Sequence, residues 1–187
     1  MKKIITAIFM VFFLNVAVLH AGSQVYFSPE GGIQKRLIER IEASFESIDI
    51  MCYDFTAKQL ARSILKARDR GVLVRVLLDS SKIDDRASVF AFLKENGVSI
   101  KAISGINNGI MHNKVAIFDK STVFTGSYNW TNSAEHSNYE NGVFSDNESF
   151  IEGYSKEFNR LWNMTDEGGR HSRPVKSRQE KHRFFKW

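Results

Sequence analysis

The chain has 187 residues, enough for one domain with a buried core, and its 26 Lys and Arg against 21 Asp and Glu give a formal net charge of +5. A single cysteine, Cys52, excludes a disulfide framework within the chain, and the histidines and cysteine show none of the spacings of a metal site. The positive surplus belongs to the C-terminal segment: residues 170–187 hold seven Lys or Arg against Glu180, whereas residues 22–169 are net acidic, which excludes capture of nucleic acid by the overall charge of the folded part.

Lys2 and Lys3 precede an apolar run from Ile4 to Leu19, and the small residues Ala21, Gly22 and Ser23 follow it. That order is the pattern of a secretory signal over residues 1–21, so export to a periplasm or the outer face of a bacterial membrane is expected. The run is short for a full span and is interrupted by Thr6 and Asn15, which favours a cleaved signal. If uncleaved, it would tie the chain to a membrane.

Gln24 to Ser28 reads as a strand, and Pro29, Gly31 and Gly32 turn the chain into a helix. Ile33, Leu37, Ile38, Ile41 and Phe45 share one face of that helix, with Lys35, Arg36, Glu39 and Arg40 opposite. A strand follows from Ser47 to Phe55 and contains Cys52, read as a small core residue. Thr56 is positioned to cap the next helix, whose buried stripe is Leu60, Ile64 and Leu65 and whose end is a left-handed Gly71. Val72 to Leu78 is apolar except for Arg75, as in a strand covered on both faces. The same order repeats: Asp84 or Asp85 opens a helix carrying Val89, Phe90 and Leu93, Gly97 stops it, and Val98 to Ile103 forms a strand. Strand and helix alternation at these lengths predicts an α/β fold, a mixed and largely parallel β-sheet flanked by helices on both faces.

The turn-rich Ser104 to Gly109 leads into Met111 and the stretch around which the chain is organised. His112 and Lys114 stand two apart, so on a strand they share a face. Val115 to Phe118 is a buried strand, Asp119, Lys120 and Ser121 form a turn, and Thr122 to Thr125 returns the chain to Gly126. The hairpin brings Gly126, Ser127 and Asn129 beside His112 and Lys114: a base or nucleophile, a cation and two neutral hydrogen-bonding groups at one end of a sheet. Such a set can hold and attack a phosphate. Beyond it, Thr131 or Asn132 caps a short helix with Glu135 in capping-box position, and Asn138 to Phe144 forms a strand bearing Glu140. Phe150 to Met164 closes the fold as an amphipathic helix with Ile151, Tyr154, Phe158, Leu161 and Trp162 facing inward.

The spacing H-x-K-x4-D over His112, Lys114 and Asp119, followed after six residues by Gly126-Ser127-x-Asn129, resembles the HKD motif of the phospholipase D superfamily. The single motif and small size are similar to the bacterial endonuclease branch, over roughly Ser47 to Phe158. The resemblance implies a phospholipase D-like catalytic domain over residues 22–165. It also implies a metal-independent phosphodiesterase that uses no cofactor and acts on nucleic acid, DNA or RNA, through a phosphohistidine. It assigns His112 and Lys114 to catalysis and Ser127, Asn129 and Gly126 to the substrate phosphate. One histidine cannot be nucleophile and acid in one step. His136, the other histidine of the fold, lies in a polar stretch and reads better as a surface residue. A homodimer that pools two motifs supplies the second. Glu140 is expected to hold the His112 ring, as a downstream glutamate does in the related nucleases. Asp119, catalytic by motif, lies some five residues or ~16 Å along the strand from Lys114 and reads as structural or orienting. The basic segment over residues 166–187, with Phe184, Phe185 and Trp187 among its charges, suits a phosphate backbone or an anionic membrane. The alternatives are a phospholipase D acting on lipid headgroups, against which no apolar loop is expected near the site, and a non-catalytic nucleic-acid-binding or uptake protein.

Overall fold

The computed structural model describes residues 22–167, so the expected signal segment and basic tail lie outside the described residues. The elements are β1 (Ser23–Ser28), α1 (Ile33–Ala43), β2 (Ser47–Cys52), α2 (Lys58–Asp69), β3 (Leu73–Asp79), α3 (Phe90–Glu95), β4 (Ser99–Ile103), β5 (Lys114–Phe118), β6 (Thr122–Gly126), α4 (Asn132–His136), β7 (Glu140–Ser145) and α5 (Glu148–Glu167).

They form one seven-stranded sheet in the order β1-β7-β6-β5-β2-β3-β4. β2, β3 and β4 are parallel neighbours joined by helical crossovers, and β5, β6, β7 and β1 pair antiparallel. Following the pairings, β1, β6, β2, β3 and β4 point one way and β5 and β7 the other. The sheet is therefore the mixed α/β sheet expected but not a largely parallel one: among the described residues two pairings are parallel, both in one half, and four are antiparallel. The reason is the hairpin: short turns can only join antiparallel neighbours, so the second half is built without crossovers.

Alternate residues of each strand serve two cores. Ile48, Ile50, Val74, Val76, Ala116, Phe118 and Phe124 pack with α1, α2 and their neighbours on one face. Met51, Leu77, Val115, Ile117 and Val123 pack under Phe158 and Leu161 of α5 on the other. Helices thus cover both faces. No helix of the described residues is long and apolar enough to cross a membrane.

Several boundaries differ from the sequence reading, each for a local reason. α1 stops at Ala43, and Phe45 lies beyond it, 80% exposed, because its N–H is drawn to the Asp119 carboxylate. β2 ends at Cys52. Thr56 does not cap α2, since the Thr56 and Ala57 amides both donate to the Trp130 carbonyl at 2.9 Å. α3 begins at Phe90 because Asp85 spends its carboxylate on a turn, accepting the Ala87 N–H. α5 begins two residues earlier than expected, where the Asn147 side chain accepts the Ser149 and Phe150 amides. Gly71 and Gly97, with φ of 93° and 76°, do end their helices in the left-handed conformation.

Candidate active site

The ladders put the motif at one edge of the sheet. Cys52 pairs with Lys114, Val115 with Thr125, and Gly126 with Gly142. The C-terminal ends of β2 and β6 therefore meet the start of β5 and β7. Tyr53, His112, Ser127 and Glu140 are the residues just past that line. In sheets with parallel strands, ligands gather where strands end and loops begin.

His112 is exposed, and its ring packs against Tyr53 with centroids 4.7 Å apart at 59°. Lys114 is only 5% exposed, and its Nζ donates to the His112 carbonyl at 2.9 Å. Burial pushes the Lys114 pKa below its ordinary value, partly offset by Cys52, Glu140 and Asp54 nearby. Cys52, opposite Lys114, is fully buried, and its thiol is pushed up to about 12 by that burial, which suits the core role read from its position.

Ser127 Oγ donates to the Glu140 carboxylate and accepts the Asn141 N–H at 3.1 Å. The second Glu140 oxygen accepts from Asn138 Nδ2 at 3.0 Å. The expectation that Glu140 holds the His112 ring is corrected on this point: its hydrogen bonds in the described chain go to Ser127 and Asn138. β7 carries Glu140 to the Ser127 side of the hairpin, because β7 pairs with β6 and not with β5. Asn129 keeps its carboxamide oxygen buried without a hydrogen-bond partner among the described residues, so that end of the side chain is uncommitted to the fold.

Two of the sequence-assigned residues have other reasons to be where they are. A Cβ on Gly126 would sit 2.2 Å from the Asn141 carbonyl oxygen, so glycine is needed there for the close approach of β7. Asp119 stands at the opposite end of β5, since Ile48 pairs with Phe118 there. Its carboxylate accepts the Phe45, Glu46 and Ser47 amides at 3.2, 2.8 and 3.0 Å, and its own N–H donates to the Ser47 carbonyl. Asp119 and Lys120, with φ of 49° and 50°, form the tight turn of the hairpin. Asp119, the motif residue read as structural or orienting, therefore clamps the entry of β2.

The structure adds residues that the motif did not name. Asp79 ends β3 almost fully buried, and it accepts the Met111 N–H at 2.6 Å and the Ser81 N–H at 2.9 Å, so it fixes the segment that carries His112. Lys82, on the loop after β3, lies 3.9 Å from Asp54 and 5.1 Å from the centroid of the Tyr53 ring. Burial raises the Asp54 pKa, with Lys82 and Lys114 working against that rise. A polar or acidic residue closing a buried strand was the legible signal for Tyr53, Asp54 and Asp79. Lys82 sits in an irregular loop and had none.

Glu135 does not close a capping box. Thr131 caps α4 by accepting the Ala134 N–H, while buried Glu135 accepts from Tyr128 Oη at 2.8 Å and Gln34 N at 3.0 Å. His136 is exposed at the end of α4. Ile106 and Ile110, on the otherwise polar loop entering His112, are 81% and 47% exposed. Among the described residues no group of three His, Cys, Asp or Glu is placed to hold a metal ion.

An exposed imidazole and a desolvated ammonium can attack and hold a phosphate ester, with a hydroxyl and a carboxamide beside them. Comparisons with known proteins agree with that chemistry. The model of the "Cardiolipin synthase, PLD-like domain" family matches residues 37–162. The chain is 34% identical over 131 residues to the mitochondrial cardiolipin hydrolase of Xenopus tropicalis, covering 70% of this chain and 61% of that protein. It is 35% identical over 130 residues to a phospholipase D of Rickettsia prowazekii, covering 68% and 62%. The chain thus spans about three fifths of the length of these curated relatives. The crystal structure of Nuc, a phospholipase D family member from Salmonella typhimurium, superposes with a TM-score of 0.71 at 34% identity, over 76% of this chain and 95% of that one. With the site, the fold and the family match over the same residues, the chain belongs to the phospholipase D family.

Proposed function

We propose that this protein is an exported, metal-independent nuclease that hydrolyses phosphodiester bonds of DNA or RNA at a site shared by two copies of the chain. One observation carries the reading: exposed His112 and buried Lys114 share an edge of the sheet with Ser127 and Asn129, and among the described residues His136, on α4, has no contact with any of them. Half of an acid and nucleophile pair is present, and a two-fold partner brings the same groups again.

In the reaction, an imidazole nitrogen of His112 attacks phosphorus and the bond to the leaving oxygen breaks. His112 of the partner subunit gives that oxygen its proton. The partner imidazole then takes a proton from water, whose oxygen attacks phosphorus and breaks the phosphorus–nitrogen bond. Lys114 from each copy holds the non-bridging oxygens, joined by the Asn129 carboxamide nitrogen and by the Ser127 hydroxyl once its proton turns from Glu140 to the phosphate, so fixed cations take the part that a divalent ion has elsewhere. The likeness to Nuc, at 34% identity over 95% of that chain, supports this reading.

A second reading, a phospholipase, is favoured by the names of the curated relatives and by the exposed Ile106 and Ile110 on the loop that leads into His112. Digestion of single- and double-stranded DNA, RNA and cardiolipin vesicles in the presence of chelator, with wild type and His112→Ala side by side, separates the two. Nucleic acid should be cut by a dimer on sizing columns and lipid left intact. Loss of activity in chelator, or full activity in a strict monomer, would end the shared-site mechanism.

A further inference from the structure

We infer that Tyr53 is a positioning residue for the reaction: its ring is the surface against which the His112 imidazole and two lysine ammonium groups are held in register. The inference rests on the reading of His112 as the reacting histidine.

The backbone puts Tyr53 there. Its N–H donates to the Asn113 carbonyl at 2.9 Å, which continues the β2–β5 ladder one step past the Cys52–Lys114 pair. His112 precedes Asn113, just outside β5 where the strict alternation of a strand has ended, and its ring meets the Tyr53 ring at 4.7 Å. Lys114 Nζ and Lys82 Nζ each lie 5.1 Å from the centroid of the same ring. An aromatic face carries partial negative charge and attracts cations within about 6 Å.

Glu140, the group expected to hold the imidazole, is bonded to Ser127 and Asn138. Among the described residues the Tyr53 ring is what the His112 ring packs on. Its face also favours the charge that an imidazole acquires when its nitrogen bonds to phosphorus. Tyr53 should therefore act on the chemical step, through His112, more than on the capture of substrate. Lys82 brings a second ammonium to the ring from a loop with no motif, held in place by Asp54.

The test compares wild type, Tyr53→Phe and Tyr53→Leu in the full chain, with kcat and KM measured separately on bis(p-nitrophenyl) phosphate and on a single-stranded DNA oligonucleotide. NMR relaxation of labelled His112 imidazole reports ring order without turnover. Tyr53→Leu should lower kcat about ten-fold with KM within about two-fold, and loosen the His112 ring. Tyr53→Phe, which keeps the aromatic face, should restore both. If the leucine chain fails to fold by circular dichroism, Tyr53→Met, of similar bulk but without the ring, takes its place. An unchanged kcat with an ordered imidazole in the ring-less variant, a loss in KM alone, or a phenylalanine variant as impaired as leucine would each overturn the inference. If wild type hydrolyses neither substrate, the nuclease reading fails, while the relaxation comparison still decides whether Tyr53 orders His112.

Discussion

The two ends of β5 carry motif residues under opposite conditions. At one end the Asp119 carboxylate accepts three backbone amides and locks the entry of β2. At the other, His112 is exposed on an aromatic ring, and among the described residues Lys114 is buried with a single carbonyl as its hydrogen-bond partner and Asn129 holds an unpartnered buried oxygen. Groups that maintain a fold are saturated by it, and groups that meet a substrate are left partly unsatisfied at some cost in stability. The contrast predicts opposite consequences for substitutions made a few residues apart.

The largest effect belongs to His112. His112→Asn should lower kcat by about ten-thousand-fold, as loss of a covalent nucleophile does, while the exposed position keeps the unfolding midpoint near that of wild type. Steady-state kinetics and a thermal melt on one preparation decide it, and a large fall in stability would break the comparison.

Lys114 comes next. Lys114→Met should cost about a hundred-fold or more in kcat by removing the charge that holds the phosphate, yet leave the fold as stable as wild type or more so. The sign follows from the lowered pKa of Lys114, whose leading cause is burial. Between that lowered value and the ordinary 10.5, the folded chain binds fewer protons than the unfolded chain, so stability rises with pH across the window. Below the window the cost of burying the ammonium is fully present. Urea unfolding at a series of alkaline pH values should show that slope, and Lys114→Met should flatten it. The same lowered pKa should bring the alkaline fall of kcat/KM below the pH at which an ordinary lysine titrates.

Glu140 sharpens the contrast from the middle. Because its carboxylate receives the Ser127 hydroxyl, Glu140→Gln should misorient that hydroxyl and reduce kcat about ten-fold. If Glu140 instead held the histidine, the loss would approach that of His112→Asn. Kinetics of the double variant Glu140→Gln with Ser127→Ala separate the cases: coupled residues give little more than one loss.

The pattern of His112, Lys114, Ser127 and Asn129 was legible because a two-residue spacing on a strand and a short hairpin leave few ways to place those side chains. The two helix-covered faces were legible too, since the nearly continuous apolar runs of Val72 to Leu78 and Val115 to Phe118 demand cover on both sides. The half of the sheet without crossovers was not, because which strand pairs with β7 is decided by long-range contacts that a linear pattern does not encode. The role of Glu140 was lost with it: a strand beside the hairpin can lie against β5 or β6, and only the second gives it Ser127. Asp54 fell inside a strand read as running to Phe55, and only the structure sets it apart, half-buried beside Lys82 and Lys114.

Asp119→Ala should give the smallest change in activity and a clear change in stability. Alanine removes the acceptor of three amides, of which Ser47 N–H is in a buried residue, and it must also take up a φ of 49° that favours Asp or Asn. Together these amount to about 2–3 kcal/mol. Asp119→Asn keeps a side-chain oxygen and tolerates the left-handed turn, so it should lose about 1 kcal/mol. Because the clamp lies a full strand length from Lys114, kcat of the folded fraction should stay within about three-fold of wild type in both variants, by the near-additivity of distant sites. Denaturant unfolding paired with kcat measured well below the transition reads both quantities. A kcat loss as large as that of Lys114→Met, in a chain shown to be folded, would mean that the two ends of β5 act as one unit and that the division drawn between them is wrong.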